Sequence, residues 1–312
     1  MTGTSRSDCG DDARLLLALS LVPGMGNKRI HQFLAVLKGH GFSLECLETD
    51  CGGGLIKKVP EMTTRFAGVM ETVSGKTLEE AGACIRRARE SGLKILHILD
   101  AAYPSQLVEH LDGICPAVLF LSGDRRLLDT ESCAVVGTRS PSCAGIRSAA
   151  QAAQTIVGTG MTVASGGAFG VDRAAHDAAL RAGGATIVFL PQGILTCPLP
   201  SAWKTAMEKG QLLLVSEYLP DAPWRTYAAV SRNALIAAQS LLVCVVEPGK
   251  QGGSILTARH ALAQGKPVLV EPVEALPVSL QAQVRGLDLL SPSLKALKDG
   301  LDVRAPRQSN LF

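Results

Sequence analysis

CAVVGTRS (133–140), TVASGGAFGVDRAAH (162–176) and VCVVEPGKQGGSILTARHA (243–261) are the stretches whose reading decides the fold. In each, an apolar run of strand length ends in a loop of small residues that opens a helix. Such loops lie beyond the carboxyl ends of the strands of a doubly wound sheet, where ligands bind. Working outward, the pattern predicts strands at 133–136, 161–164, 185–190, 212–215, 241–246 and 267–270. Helices are expected near 144–157, 171–182, 199–208, 231–239 and 254–264. Strand-helix units repeating roughly every 25 residues argue for an α/β fold with a mainly parallel sheet and helices on both faces.

Upstream, LKILHI (93–98) and AVLFLSG (117–123) read as short strands around a Tyr-Pro turn. Residues 11–39 read as two helices broken by PGMG (23–26), with Gly39 as a stop. Two readings of this hairpin stand side by side. One is a helix-hairpin-helix (SAM-like) unit whose turn amides take a nucleic-acid phosphate; the other is a plain hairpin packing a small domain. A loop at 50–60 and a polar helix at 76–91 complete an expected helical N-terminal domain, 1–90. An extended Rossmann-like domain at 91–275 and an irregular tail at 276–312 follow.

The 31 Lys and Arg against 28 Asp and Glu leave a net charge of only +3, so any nucleic-acid contact must come from a local patch. Nine cysteines without a C-x-x-C pair fit buried thiols in a reduced cytosolic protein rather than a zinc site or disulfide frame. No apolar run approaches a bilayer span, which predicts a soluble, cytoplasmic chain without membrane contact. Two Trp, three Tyr and seven Phe offer little for a long base-stacking platform, so backbone contacts are expected to dominate any single-strand binding.

The candidate anion-binding residues sit in the three loops and on one helix. Gly137, Thr138, Arg139 and Ser140 follow the first strand, and the Arg139 fork suits a phosphate. Ser165, Gly166, Gly167, Phe169 and Gly170 lead into a helix start, whose amides and dipole favour an anion. Lys250, Gly252, Gly253, Ser254 and Thr257 open another helix, and Arg232 with Asn233 adds charge and amide groups. Asp172 and His176, four residues apart on one helix face, read as structural, with no nucleophile at fixed spacing. No catalytic residue, metal ligand or cofactor is assigned. The absence of a G-x-x-x-x-G-K-[ST] string and of a G-x-G-x-x-G fingerprint after the first strand disfavours ATP hydrolysis and dehydrogenase chemistry.

Several ordered motifs together resemble the bacterial DNA-processing protein A (DprA, also called Smf) family. They are Tyr103-Pro104, Pro116-Ala117-Val118-Leu119, Gly123-Asp124, Val136 to Ser140, Ser165 to His176, Ser216-Glu217-Tyr218 with Pro220, Arg232-Asn233 with Ile236-Ala237, and Gly253 to Ala258. The resemblance covers residues 90–272. It implies an extended Rossmann-like, homodimeric protein that binds single-stranded DNA and helps load the recombinase RecA during transformation. It also implies departures. Phe169 stands where the family usually has Arg, Ser231-Arg232-Asn233-Ala234 replaces an Arg-Arg-Asn-Arg run, and Cys197-Pro198 replaces Tyr-Pro. Fewer arginines mean fewer phosphate bonds, which Phe169 offsets if it stacks a base rather than packing into the core.

Two other readings follow from the residues. The less basic loops suit a nucleotide-binding sensor or a nucleoside-processing enzyme, including one acting in defence against foreign DNA. The terminal Gln308-Ser309-Asn310-Leu311-Phe312 resembles the Q-x-x-L-F peptide that docks on the sliding clamp, with Gln308 setting register and Leu311 and Phe312 as anchors.

Overall fold

The computed structural model describes residues 9–49, 59–73, 75–249 and 252–286. The chain divides into two compact units, Met1–Leu121 with Glu217–Pro220, and Ser122–Ser216 with Asp221–Phe312.

In the first unit, helices α1 (Cys9–Leu21) and α2 (Asn27–Gly39) flank the Pro23–Gly26 turn. Gly24 turns the chain there at φ +80°, a conformation open to a residue without Cβ. The leucines of α1 at 15, 16, 17 and 19 are all buried, as are Ile30 and Phe33 of α2. The short helices α3 (Cys46–Thr49), α4 (Pro60–Arg65) and α5 (Ala67–Thr72) lead to α6 (Gly75–Glu90). Strands β1 (Lys94–His97) and β2 (Val118–Gly123) pair antiparallel around α7 (Ser105–Leu111). The Tyr103 hydroxyl donates to the Pro116 carbonyl at 2.7 Å, which ties the Tyr-Pro turn to the start of β2. The division expected at residue 90 therefore falls inside this unit, between α6 and β1.

The second unit carries the parallel sheet. Its strands are β3 (Ser132–Gly137), β4 (Thr162–Ser165), β5 (Thr186–Phe189), β6 (Leu212–Ser216), β7 (Leu242–Val246), β8 (Val268–Glu271) and β9 (Arg285–Gly286). They lie in the order β6-β5-β4-β3-β7-β8-β9. The chain winds outward from β3 to β6, then returns to lay β7 on the other side of β3, with Ala134 opposite Val243 and Val136 opposite Val245. That return is the switch point of the sheet, and its crevice opens beyond the carboxyl ends of β3 and β7. Strands β4 to β7 are buried along their whole length, which accounts for apolar runs that do not alternate.

The helices are α8 (Cys143–Gly158), α9 (Val171–Arg181), α10 (Ser201–Glu208), α11 (Thr226–Gln239), α12 (Gly253–Ala263) and α13 (Val278–Gln281). Ala149, Ala152 and Ala153 of α8 share one core with Ala175, Ala178 and Ala179 of α9 and with Val135 and Val163. Alanine faces let two helices approach closely over the sheet. Lys266 closes α11 from outside, its Nζ donating to the Ala237 and Ala238 carbonyls at 2.8 and 2.6 Å.

Every strand expected from Cys133 to Val270 is present within two residues of its predicted position. Helix α11 differs, starting at Thr226 rather than near 231. Thr226-Tyr227-Ala228-Ala229 continues the helix backwards until Pro223 is close, and no capping side chain marks the start. The parallel sheet also extends past residue 275, because Arg285 and Gly286 pair with Leu269 and Val270. Among the described residues no helix is long and apolar enough to cross a membrane.

Candidate nucleic-acid interface

Glycines set the close approaches at the carboxyl edge of the sheet. A Cβ on Gly137 would lie 2.1 Å from the Val246 carbonyl oxygen, and one on Gly170 2.5 Å from that of Thr138. Gly170 also sits at φ +85°, so the loop after β4 and the loop after β3 touch through a position only glycine can fill. The Val171 N–H donates to the Thr138 carbonyl at 3.1 Å.

Beneath this surface the motif residues bond to one another. The Ser165 hydroxyl donates to the Val135 carbonyl at 2.6 Å, and the Gly166 N–H donates to Asp172 Oδ2 at 3.2 Å. Arg232 is only 4% exposed; its Nη1 donates to the Phe189 carbonyl at 3.0 Å. A Cβ on Gly166 would fall 1.5 Å from that nitrogen, so Gly166 is small because a guanidinium lies against it. Burial raises the pKa of Asp172, opposed by the Arg232 charge and by the Ala168 and Gly166 amides. On α12, Thr257 donates to the Gly253 carbonyl at 3.0 Å, and Asn233 Nδ2 reaches the same oxygen at 3.2 Å. Ser254 is buried and Gly252 exposed.

Asp172 and His176 do not pair. His176 Nδ1 meets Thr186 Oγ1 at 2.6 Å, and that hydroxyl donates to the Val163 carbonyl at 2.8 Å. With its proton spent there, the hydroxyl accepts from the ring, which fixes the Nδ1–H tautomer. The ring packs edge-on to Trp203 at 5.3 Å. Burial, helped by Arg173 and Arg232, lowers its pKa to about 3.

The outer surface has a different make-up. Arg139 and Ser140 are exposed, and the Arg139 guanidinium carbon lies 5.9 Å from the Trp224 ring centroid. Trp224 is 44% exposed, Tyr227 67% and Phe169 83%. Phe169 is thus a surface aromatic rather than a core residue. Arg225, between the other two aromatics, is exposed as well. Sequence reasoning passed over Trp224, Arg225 and Tyr227. Their signal was available in Pro223-Trp224-Arg225-Thr226-Tyr227, which concentrates one of two tryptophans and one of three tyrosines just before a helix.

Also passed over is Glu247, which follows β7 at φ +44°, in a region that L side chains seldom enter. Its carboxylate accepts from the Ser142 N–H at 2.8 Å and from the Ser142 hydroxyl. Ser142 is the N-cap of α8, where its hydroxyl accepts from the Gly145 N–H at 3.0 Å. The helix start at the switch point, the usual seat of a pyrophosphate in this fold, therefore holds an internal anion.

The structure thus gathers Gly137, Thr138, Arg139, Ser140, Gly167, Phe169 and Gly170 on touching loops, and places Ser165, Gly166, Arg232 and Asn233 in the supporting layer. Lys250 lies outside the described residues, as do Gln308, Leu311 and Phe312. Among the described residues no cluster of His, Cys, Asp or Glu is placed to hold a metal ion.

The sequence model of the DNA recombination-mediator protein A family matches residues 94–289. The chain is 37% identical over 213 residues to Protein Smf of Escherichia coli K12, covering 64% of this chain and 56% of that protein. It is 35% identical over 177 residues to DNA processing protein DprA of Streptococcus pneumoniae, covering 56% and 61%. The chain thus spans less than two thirds of the length of these relatives. Among solved structures, S. pneumoniae DprA superposes with a TM-score of 0.71 at 24% identity, over 95% of this chain and 98% of that one. DNA processing protein A of Helicobacter pylori, described for its single-stranded DNA binding mode, superposes with a TM-score of 0.53 at 27% identity, over 67% and 95%. With well over half its length matched by the family model, this chain belongs to the DNA recombination-mediator protein A family.

Proposed function

We propose that the chain binds single-stranded DNA along the edge formed by the loops after β3 and β4 and the start of α11, and that it performs no covalent chemistry there. The observation that carries this is Arg139, an exposed cation at the carboxyl end of β3, held over an aromatic ring. A guanidinium in that position offers a planar fork to a phosphate. Asp172 and His176 sit in separate buried hydrogen-bond sets, an arrangement that supports the non-catalytic reading.

The nucleotide-sensor alternative is weakened by Glu247, whose negative charge sits where a nucleotide's phosphates are received in this fold. Membership of the family supports a role in handing bound strands to a recombinase such as RecA, in the cytoplasm and as a homodimer. The test is anisotropy of a labelled single strand against a duplex of equal length across a salt series. Tighter, salt-sensitive binding of the single strand is expected; no binding of either at low salt would overturn the proposal.

A further inference from the structure

We infer that Trp224, Tyr227 and Phe169 form a base-stacking ledge that grips nucleobases while Arg139 holds the adjoining phosphate. The inference rests on the single-strand reading and adds to it which chemical part of the strand is recognised. Composition alone predicted backbone contacts, because aromatic residues are few. The fold instead leaves Phe169, Trp224 and Tyr227 exposed, with Arg139 over the Trp224 ring.

Their proximity follows from contacts already described. Phe169 precedes Gly170, whose position abuts the Arg139 carbonyl; Arg139 in turn lies over Trp224. Tyr227 lies in the first turn of α11 and Trp224 just before its extended N-cap Arg225, so the two flank one helix entry. Large exposed rings carry a hydration cost that a soluble surface does not normally retain in a group. Exposed aromatics interleaved with arginines are the composition of single-strand grooves, where every base offers a π-face and recognition is tolerant of sequence. Arg139 over the Trp224 ring and the exposed Arg225 add positive charge beside the rings, which suits a polyanionic strand.

The consequence is that the bases must be unpaired and reachable. A duplex, with its bases stacked inward, can satisfy Arg139 but not the ledge.

The test uses the full chain with two oligonucleotides of equal length and charge, one of thymidines and one of abasic sites. Stacking predicts that the abasic strand binds at least about tenfold more weakly. It predicts that Trp224→Ala with Tyr227→Ala lowers thymidine affinity to the abasic level without changing the salt slope. Tryptophan emission gives a second readout, because Trp203 is 3% exposed and thymidine-dependent quenching therefore reports Trp224. Equal affinity for both strands with no quenching would overturn the ledge while leaving a phosphate-binding site in place. Failure of both strands to bind would overturn the single-strand reading and the ledge together.

Discussion

The buried side of the loop after β4 and the aromatic rim beside Arg139, to which the same loop lends Phe169, use their polar groups in opposite ways. In the loop, Ser165, Gly166 and Asp172 are engaged with Val135, with each other and with the charge of Arg232. At the rim, Arg139, Phe169, Trp224 and Tyr227 face solvent. The buried half of these motifs is a brace, while Arg139 and Phe169 from the same motifs join Trp224 and Tyr227 on the solvent side. Holding a glycine loop rigid takes specific short-range bonds, which limit the residues that can stand there.

The contrast is broken most forcefully by removing the brace. Arg232→Met strands the Phe189 carbonyl and leaves Asp172 without its cation, and should cost about 3 kcal/mol in urea unfolding. Loss of DNA affinity without loss of stability would instead make Arg232 a direct ligand group.

The buried hydrogen-bond set beside the brace should also respond to acid. His176 is held neutral, with a folded pKa of about 3 against 6.5, so below pH 6.5 the unfolded chain takes up a proton that the folded chain refuses. Stability from this residue is full above 6.5 and is lost as pH falls towards 3. Asp172 and Glu217, both raised by burial, act with the opposite sign on the acid side. The comparison of wild type with His176→Gln isolates the histidine, and the variant should show the flatter slope between pH 6.5 and 4 in thermal melts.

At the switch point, Glu247→Ala removes the carboxylate that holds the Ser142 N–H and hydroxyl and should cost about 1 kcal/mol. The variant should recover stability in phosphate buffer more than wild type does. The smallest structural effect belongs to the rim. Arg139→Ala should change unfolding by less than about 0.5 kcal/mol, yet lower the salt slope of DNA binding by about one. An Arg139 variant that unfolds readily would dissolve the distinction between brace and rim.

The parallel sheet was readable because β3, β5, β6 and β7 are apolar on both faces and each is followed by a helix start, which leaves little choice of period. Arg139 was readable for the same reason, lying one loop beyond a buried strand. The inner or outer placement of Arg232 was not, since Arg-Asn on a helix has no pattern that separates a buried guanidinium from an exposed one. Trp224 and Tyr227 were missed because the start of α11 lacks a capping side chain and so read as connecting chain. Glu247 lies 105 residues from Ser142, and only the return from β6 to β7 brings the two together.

The carboxylate of Glu247 also bears on competition inside a cell, where free nucleotides far outnumber any DNA end. A nucleoside triphosphate entering the crevice between β3 and β7 meets a resident negative charge already seated on the Ser142 hydroxyl and N–H. On the proposed reading a strand across the rim would not have to displace it, and strand binding should hold steady in millimolar ATP.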